Sequence, residues 1–506
     1  MGTVVETGSG RIEGVEENGV QVFRGIPYAR APQGELRFGA PRDPESWAGV
    51  RDCSGYGPSS LQIEPQVRIL PGTDVGPMSE DCLFLNLWTP AADARRRPVL
   101  VWIHGGGFVG GAGSRPLYTD SPLVARGDAV LVTINYRLGV LGFTDFGALA
   151  RERIGAVSNA GLRDQLAALG WVRENIAAFG GDPANVTIFG ESAGGMSVGT
   201  LLGTPAARGL FAKSVAQSGA AHNVHTAESA ARVARELLEA LEIPAEAPER
   251  LLDVPVERLL ELQGRLIERQ RGGENLLPFQ PVVDGELLPE APLQALRSGL
   301  SAEVPTLVGT TRDEWKLFAM MDPRSGQLDD AGLRKRVEAR VGEAASRIIE
   351  GYREIRSARG DSTEAHELFS AIETDRVFRI PAIRLAEAQA AQQQRCYAYL
   401  FDWTSPALGG RLGSCHALEV PFVFGTLGMP GLEAFVGAGP EANRLSEQMQ
   451  ESWLAFARSG EPGHSGVGDW GRYDEARRET MVLGPNCGSC TQPFDAERSL
   501  WTGVID

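Results

Sequence analysis

The stretch from Val186 to Gly199 constrains the fold more than any other part of the chain. It begins with Val-Thr-Ile-Phe, a short apolar and β-branched run that is typical of a buried parallel strand. Gly190-Glu-Ser-Ala-Gly194 follows at once, and the small residues of 193–202 predict a helix. Strand, G-x-S-x-G and helix in this order form the layout of a nucleophile elbow, a sharp turn that raises a serine hydroxyl above the sheet. Glycines flank such a serine because side chains there would clash.

The G-x-S-x-G motif alone has little specificity, because 62 of the 506 residues are glycine. A second copy, Gly195-Met-Ser-Val-Gly199, overlaps the first. Ser192 stands where the strand ends, whereas Ser197 lies more than one turn inside the predicted helix. This context favours Ser192 as a nucleophile and Ser197 as a helix serine facing the elbow. The alternative interpretation is that Ser192 is an ordinary serine in a turn. That interpretation must also account for the candidate histidine, acid and glycine-rich segment elsewhere in the chain.

Composition and charge limit the class of protein. Hydrophobic residues make up 42% of the chain and charged residues 23%, as in a globular protein with a large core. The net charge of −16 argues against nucleic acid or an anionic membrane as a partner. No apolar run approaches the roughly 18 residues that span a bilayer. The N-terminus shows no secretory signal, so a cytoplasmic location is expected. The oligomeric state is not indicated.

The six cysteines are too sparse for a disulfide scaffold. Cys487-Gly-Ser-Cys490 is a single C-x-x-C with no second pair and no thioredoxin-like surroundings. It therefore predicts an exposed turn rather than a redox or zinc site. We expect neither a metal nor a cofactor.

Buried strands and amphipathic helices alternate along the chain. The clearest helix is predicted from Asn159, as its N-terminal cap, to Ala178, with Gly180 closing its end. Residues 226–271 and 329–395 are predicted as helical insertions. No linker or repeat divides residues 1–506, so we expect one α/β domain with a large, mostly parallel sheet covered by helices. Strands are also expected near Asn18-Gly19 as a hairpin in a small N-terminal sheet, and at 83–88, 98–103, 129–135, 213–217, 305–309, 396–403 and, as the final edge strand, 479–483.

A serine hydroxyl attacks an ester only with a base that a third group orients. In an elbow-type site the chain order is serine, acid, histidine. His416 follows a predicted core strand and is favoured as the base. The other five histidines are less suitable, because they precede the serine, follow it too closely for an intervening acid, or lie in a predicted helix or turn: His104, His222, His225, His366 and His464.

The acid is expected at the C-terminal end of a strand between Ser192 and His416. Asp313 and Glu314, after the predicted strand at 305–309, fit best, but spacing does not choose between these neighbours. Asp284 is a rival that we interpret as a turn aspartate because glycine follows it.

The glycine-rich segment His104-Gly-Gly-Gly107 follows a predicted strand. Attack on a carbonyl develops an oxyanion that requires preorganised N–H donors, and glycines let the backbone approach it. The N–H of Ala193, after the serine, would add a further donor. A phosphate-binding loop is the competing interpretation, but the segment lacks both G-K-[ST] and the G-x-G-x-x-G spacing.

Further motifs extend along nearly the whole chain: Phe23-Arg-Gly-Ile-Pro-Tyr-Ala29, Glu80-Asp-Cys-Leu-Phe-Leu-Asn-Leu-Trp88, Asn135-Tyr-Arg-Leu-Gly139, Asn159-Ala-Gly-Leu-Arg-Asp-Gln165, Gly309-Thr-Thr-Arg-Asp-Glu314 and His416-Ala-Leu-Glu-Val-Pro-Phe-Val-Phe424. With the glycine-rich segment and the elbow, they resemble the type B carboxylesterases, which include cholinesterases and bacterial para-nitrobenzyl esterases. The bacterial members look most similar.

The resemblance implies an α/β-hydrolase fold and a serine carboxylesterase that cleaves small-molecule esters through an acyl-enzyme. It also implies a role for six residues: Ser192 as nucleophile, Glu314 as acid, His416 as base, and Gly106, Gly107 and Ala193 as the oxyanion hole. Two alternatives share the fold. One is an amidase or thioesterase with the same triad, and the other is a non-catalytic binding module.

Three details bear on this expectation. The family often has glycine after the acid, where this chain has Trp315, a residue able to narrow the pocket. Secreted members pair the cysteine matching Cys82 with an upstream one, for which Cys53 is the candidate, in a shifted register. Members with the triple glycine of 105–107 tend to accept bulky alcohols, so we expect short-chain acyl esters of bulky or aromatic alcohols as substrates.

Overall fold

A computed structural model describes residues 2–64, 71–119, 122–269 and 277–505, together with the backbone of Gln270. Its central feature is a sheet of eleven strands in the order β18-β17-β16-β15-β12-β11-β9-β10-β8-β4-β3. The seven strands from β17 to β10 in that order pair in parallel, and antiparallel strands complete both edges. The eleven strands are β3 (Val15–Glu17), β4 (Val20–Pro27), β8 (Phe84–Thr89), β9 (Arg97–Ile103), β10 (Val130–Ile134), β11 (Gly181–Glu191), β12 (Lys213–Gln217), β15 (Thr306–Thr311), β16 (Cys396–Phe401), β17 (Glu479–Leu483) and β18 (Gly488–Thr491).

The centre of this sheet is buried on both faces, because helices cover both. In β9, Val99, Val101 and Ile103 belong to one hydrophobic cluster, while Leu100 and Trp102 belong to another on the opposite face. Such strands carry near-continuous apolar runs, which is why the sequence predicted them well. The seven remaining strands are short: β1 (Val4–Thr7), β2 (Gly10–Glu13), β5 (Val50–Asp52), β6 (Ser59–Ser60), β7 (Met78–Ser79), β13 (His225–Thr226) and β14 (Val282–Val283).

Helices occupy both faces and the carboxyl edge of the sheet. In chain order they are α1 (Pro116–Thr119), α2 (Leu123–Gly127), α3 (Gly139–Gly142), α4 (Gly147–Ile154), α5 (Ala160–Asn175), α6 (Ala193–Leu202), α7 (Ala227–Ala240), α8 (Val256–Gln270), α9 (Pro292–Arg297), α10 (Trp315–Met321), α11 (Asp330–Val341), α12 (Ala345–Arg359), α13 (Ala365–Thr374), α14 (Ile380–Ala390), α15 (Val420–Phe424), α16 (Glu433–Val436), α17 (Pro440–Ser459) and α18 (Asp495–Ser499). A π-helical turn, Asp375–Arg379, joins α13 to α14. Within the described ranges, no helix is both long and apolar enough to cross a membrane.

The predicted cap of α5 is wrong. Asn159 precedes the helix with a left-handed φ of 59°, and its side chain makes no cap hydrogen bond. The side chain instead accepts from the Val282 N–H at 2.8 Å and donates to Asp284 Oδ2 at 2.9 Å. A tertiary contact has replaced the local one. The other end is as predicted, since Gly180 closes a 3₁₀ turn, 176–179, with a φ of 78°.

The two predicted helical insertions lie in different places. Residues 227–270 form α7 and α8, where Gln263 Oε1 accepts from the Val140 N–H at 2.9 Å. Residues 330–390 form α11 to α14 with the π-helical turn between the last two, and that turn reaches the carboxyl edge of the sheet. The second insertion therefore covers the region where the site residues gather.

Three smaller expectations change at the periphery. The hairpin at Asn18-Gly19 joins β3 and β4 at the edge of the main sheet, while β1, β2 and β5 form a separate small sheet. β17 is not the edge strand, because β18 pairs outside it and carries the exposed Cys490. Cys53 and Cys82 are both buried free thiols, so the disulfide considered for them does not form.

Candidate active site

Ser192 lies at the turn between β11 and α6 in a strained backbone conformation, with φ 57° and ψ −125°. The turn is possible because two neighbours lack a side chain. A Cβ on Gly194 would lie 1.9 Å from the Ile103 carbonyl oxygen, and one on Gly190 would lie 2.6 Å from the same atom. The strain is held by the Ser192 N–H, which donates to the Gln217 carbonyl at 2.9 Å. This geometry matches the elbow that the sequence predicted.

His416 and Glu314 form a buried pair at the same edge of the sheet. Glu314 follows β15, His416 follows β16, and the imidazole Nδ1 lies 2.6 Å from Glu314 Oε2. Glu314 has no solvent exposure. The rings of Phe318 and Phe378 lie 5.0 and 4.8 Å from the imidazole, so its orientation is fixed by packing as well as by the carboxylate.

The structure distinguishes Glu314 from Asp313, which their spacing in the sequence could not do. The second carboxylate oxygen of Glu314 accepts from the Ser218 hydroxyl at 2.6 Å and from the Thr311 N–H at 2.7 Å. Asp313 turns away, and its Oδ2 accepts from the Ser414 N–H and from Arg312 Nε, each at 3.0 Å. Ser218 was not anticipated as a partner of the acid. Its position at the carboxyl end of β12 was the available signal.

Glu191 makes the other close contact of the histidine. Its Oε1 lies 3.0 Å from His416 Nε2, without the alignment of a hydrogen bond. Among the described residues, no hydrogen bond joins the Ser192 hydroxyl to His416. Catalytic hydrogen bonds are often loose in a site without substrate. Glu191 was missed from the sequence, although it is the variable residue inside the G-x-S-x-G motif.

The charges around His416 determine its protonation. Burial alone would lower its pKa, but the carboxylates of Glu191 and Glu314 outweigh burial and hold the pKa well above the usual value for histidine. A third carboxyl group, Glu419, lies in the same cluster and accepts from Gln217 Nε2 at 3.2 Å. Burial, with Glu191 and Glu314 adding to it, raises the pKa of Glu419 to about 8. Glu419 is therefore mostly protonated near neutral pH, which reduces repulsion within the cluster.

The glycine loop after β9 faces the elbow. Gly106 and Gly107 have positive φ angles of 119° and 62°. The Gly106 carbonyl points back into the loop, where it accepts from the Val109 N–H at 3.1 Å and the Gly110 N–H at 3.0 Å. The N–H groups of Gly106, Gly107 and Ala193 donate no hydrogen bond to any part of the chain that the structure describes. They are available to an oxyanion.

His104 anchors this loop without carrying charge. Its ring stacks on Tyr136 with centroids 4.5 Å apart, and its Nδ1 lies 2.9 Å from the Gly105 carbonyl oxygen. Burial lowers the pKa of His104 to about 3, so the ring is neutral at physiological pH. It has a structural position, as the sequence indicated.

These groups border one cavity of about 690 Å³. Ser192, Glu191, His416 and the glycines of 105–107 line one part of it. The rest of its wall is mostly apolar and includes Trp315, whose ring packs 4.9 Å from that of Phe318. Trp315 therefore forms part of the wall, and a cavity large enough for a small ester is present.

The rejected candidates lie elsewhere or in supporting positions. Ser197 is buried inside α6, as the sequence predicted, and its hydroxyl accepts from Gln165 Nε2 at 3.0 Å. Asp284 is a turn residue whose Oδ1 accepts from the Glu286 N–H at 3.0 Å. His464 lies in a turn, where its Nε2 is 3.1 Å from the Ser452 hydroxyl oxygen.

Similarity to known proteins identifies the family. Residues 1–500 match the profile of the Carboxylesterase family. The chain belongs to the carboxylesterase family. It is 41% identical over 486 residues to the para-nitrobenzyl esterase of Bacillus subtilis (strain 168), covering 95% of this chain and 94% of that protein. It is 36% identical over 487 residues to the phenmedipham hydrolase of Pseudarthrobacter oxydans, covering 95% of both.

Solved carboxylesterase structures show the same architecture. A Geobacillus stearothermophilus carboxylesterase superimposes with a TM-score of 0.88 at 41% identity, over 99% of this chain and all of that one (100%). A para-nitrobenzyl esterase structure gives a TM-score of 0.85 at 39% identity, over 99% and 100% of the two chains. The protein has the α/β-hydrolase fold and is a carboxylic ester hydrolase that acts on small esters.

Proposed function

We propose that this carboxylesterase uses Ser192 as nucleophile, His416 as base and Glu314 as the acid that orients it. The observation that carries the proposal is the buried His416–Glu314 pair, with Nδ1 and Oε2 2.6 Å apart, beside the strained Ser192 elbow. In the neutral imidazole the carboxylate accepts the Nδ1 proton, so Nε2 can accept a proton from the serine. Glu314 also stabilises the imidazolium that this transfer creates.

The proposed reaction has two halves. Ser192 Oγ attacks the ester carbonyl as His416 Nε2 takes its proton, and the resulting oxyanion accepts from the N–H groups of Gly106, Gly107 and Ala193. Collapse of this intermediate breaks the bond to the alcohol, and His416 returns the proton to the leaving oxygen. Water then attacks the acyl-enzyme by the same route, which releases the acid and restores the serine.

For the first step, the Ser192 hydroxyl and His416 Nε2 have to approach each other. The imidazole Nε2 faces Glu191 in the free protein, and the serine hydroxyl makes no hydrogen bond to it. We propose that a bound ester, by displacing water and filling the cavity, brings Ser192 Oγ and Nε2 within hydrogen-bond distance. Glu191 would then contribute its charge to the imidazolium from the side opposite Glu314.

For the substrate we propose short-chain acyl esters of bulky or aromatic alcohols. The support is the Gly106 carbonyl, which is turned into the loop by two hydrogen bonds and leaves space beside the scissile bond. The test compares tert-butyl acetate with tributyrin. We expect detectable release of tert-butanol from tert-butyl acetate. Rapid tributyrin cleavage without detectable tert-butanol would refute the proposal.

The remaining alternatives differ in the bond that is cleaved. An amidase or a thioesterase would use the same triad, so the decisive assay offers one acyl group as ester, thioester and amide. We expect kcat/KM to be highest for the ester. A higher value for the amide or the thioester would reassign the reaction, and no turnover of any of the three would favour a binding module.

A further inference from the structure

One corner of the catalytic cavity is polar and positively charged. Arg376, His222 and Asn223 all line the cavity there. Arg376 lies close enough to His222 for its charge to act on the ring. In the described part of the chain, His222 Nδ1 and Asn223 Oδ1 are buried without any hydrogen-bond partner. Buried polar atoms without partners are costly, so the corner is suited to a polar ligand.

Arg376 is held rigidly by a buried carboxylate. Its Nε and Nη2 donate to the two oxygens of Glu373 at 2.7 and 3.0 Å, and Arg340 Nε donates to the same carboxylate at 2.8 Å. Glu373 has no solvent exposure. Two guanidinium groups thus share one carboxylate, and these three described side chains together carry one net positive charge. Arg376 lines the catalytic cavity and also a second cavity beside Val504. Its Nη1 makes no hydrogen bond to any described residue, so this N–H group is available to a ligand.

The backbone at Arg376 is also unusual. Asp375–Arg379 is a π-helical turn, a rare conformation that occurs frequently at functional sites. The turn presents Arg376 to the corner and Phe378 to the catalytic histidine, with ring centroids 4.8 Å apart. A group bound by Arg376 therefore lies within reach of an ester held at His416.

The chemistry of the corner fits a carboxylate. Burial, and then the charge of Arg376, lower the pKa of His222 to about 3, so its ring is a neutral N–H donor at physiological pH. A guanidinium and a neutral imidazole together offer a carboxylate a positive charge and directed hydrogen bonds. A purely apolar substrate would leave the charge of Arg376 and the polar ring of His222 unsatisfied.

We propose that Arg376, with His222, forms a subsite for a carboxylate carried by the ester substrate. This proposal rests on the proposed esterase function of the same cavity. The carboxylate belongs to the acyl part, as in a monoester of a dicarboxylic acid, or to the alcohol part, as in an ester of a hydroxymethyl benzoate. The assay below distinguishes the two.

The test uses two matched pairs of esters. Monomethyl adipate against methyl hexanoate places the charge on the acyl part, and 4-(acetoxymethyl)benzoate against 4-methylbenzyl acetate places it on the alcohol part. The measured quantity is the ratio of kcat/KM, anionic over neutral, within each pair. Loss of a charge-assisted contact in Arg376→Gln should lower one ratio by roughly 10- to 100-fold, mainly through KM. Arg376→Lys should recover part of it.

Arg340→Gln is the matched control, because it removes the other partner of Glu373 without facing the catalytic cavity. Both ratios should change by less than about threefold in this variant. Ratios that stay unchanged in Arg376→Gln while the neutral esters are still cleaved would overturn the subsite and leave the esterase function intact. Failure to cleave any of the four esters would instead overturn the esterase function. Arg115 also lines the catalytic cavity. A loss of ratio in Arg115→Gln alone would therefore overturn the assignment to Arg376.

A measurement on the unmodified protein keeps the proposal testable if Arg376→Gln does not fold. Hexanoate and hexanamide are compared as inhibitors of methyl hexanoate cleavage, and 4-methylbenzoate and 4-methylbenzamide as inhibitors of 4-methylbenzyl acetate cleavage. In one of the two pairs the carboxylate should inhibit competitively and at least about tenfold more strongly than the amide. Equal inhibition within both pairs would overturn the proposal.

Discussion

Replacing Glu314 by glutamine tests the orientation of the base most sharply. In the structure, Glu314 Oε1 accepts from the Ser218 hydroxyl and the Thr311 N–H. A glutamine must place its carbonyl oxygen there, because its NH₂ group would face the backbone donor. The NH₂ then occupies the Oε2 position and points at His416 Nδ1. The imidazole is forced to accept at Nδ1 and to carry its proton on Nε2, where it cannot take the proton of Ser192.

The size of the effect follows from triads in which the wrong tautomer is imposed. There kcat falls by about 10⁴-fold, which corresponds to ~5 kcal/mol of transition-state stabilisation. The alternative amide orientation offers no escape, since it would set two donors against each other in a buried site at a cost of roughly 1–3 kcal/mol. We therefore expect kcat for a para-nitrophenyl ester to fall by about four orders of magnitude.

Asp313→Asn is the matched control, because it makes the same change one residue away. Asp313 binds the Ser414 N–H and Arg312 but not His416. Its loss should reduce kcat by less than about tenfold. Thermal unfolding of both variants verifies that the fold is retained. The reasoning is refuted if Glu314→Gln stays within tenfold of the parent, or if Asp313→Asn loses as much.

Three further changes test separate parts of the site. Ser192→Ala should abolish esterase activity, whereas Ser197→Ala should keep most of it, and the reverse pattern would show that the wrong overlapping motif was chosen. Only neutral imidazole accepts the serine proton and the pKa of His416 is raised, so kcat/KM should increase from neutral into alkaline pH. Glu191→Gln should move the midpoint of this pH profile to lower pH. An unmoved midpoint would contradict the role given to the Glu191 carboxylate. Gly106→Ala should reduce kcat strongly, because its Cβ would lie 2.1 Å from the Gly110 carbonyl oxygen, and normal turnover would exclude this loop from the oxyanion hole.

The sequence predicted the parallel core well, because its strands are short apolar runs with few alternatives. Lys213–Gln217 and Glu479–Leu483 have the predicted bounds. Peripheral details were less accessible. Asn159 was expected to cap a helix, but a distant backbone segment at Val282 competes successfully for its side chain. Gly488–Thr491 has little apolar character, so its pairing outside β17 was not visible in the pattern.

The site shows the same division. Ser192, the glycine loop and His416 could be chosen from motifs and chain order, because each follows a recognisable strand. The residues alone left Asp313 and Glu314 equal, since the choice depends on which neighbour the turn after β15 directs inward. The contact between Glu191 and His416 depends on how the loop that carries His416 folds back over the elbow. Such contacts join segments far apart in the chain and leave no local pattern.

The identity of the nucleophile is tested most directly by covalent labelling. The protein is incubated with a para-nitrophenyl phosphonate, which should phosphonylate the activated serine, and the digested peptides are analysed by mass spectrometry. The account predicts one label per chain, on Ser192, formed in step with loss of esterase activity and absent from Ser192→Ala. A label on another residue, or complete inactivation with Ser192 unmodified, would contradict it.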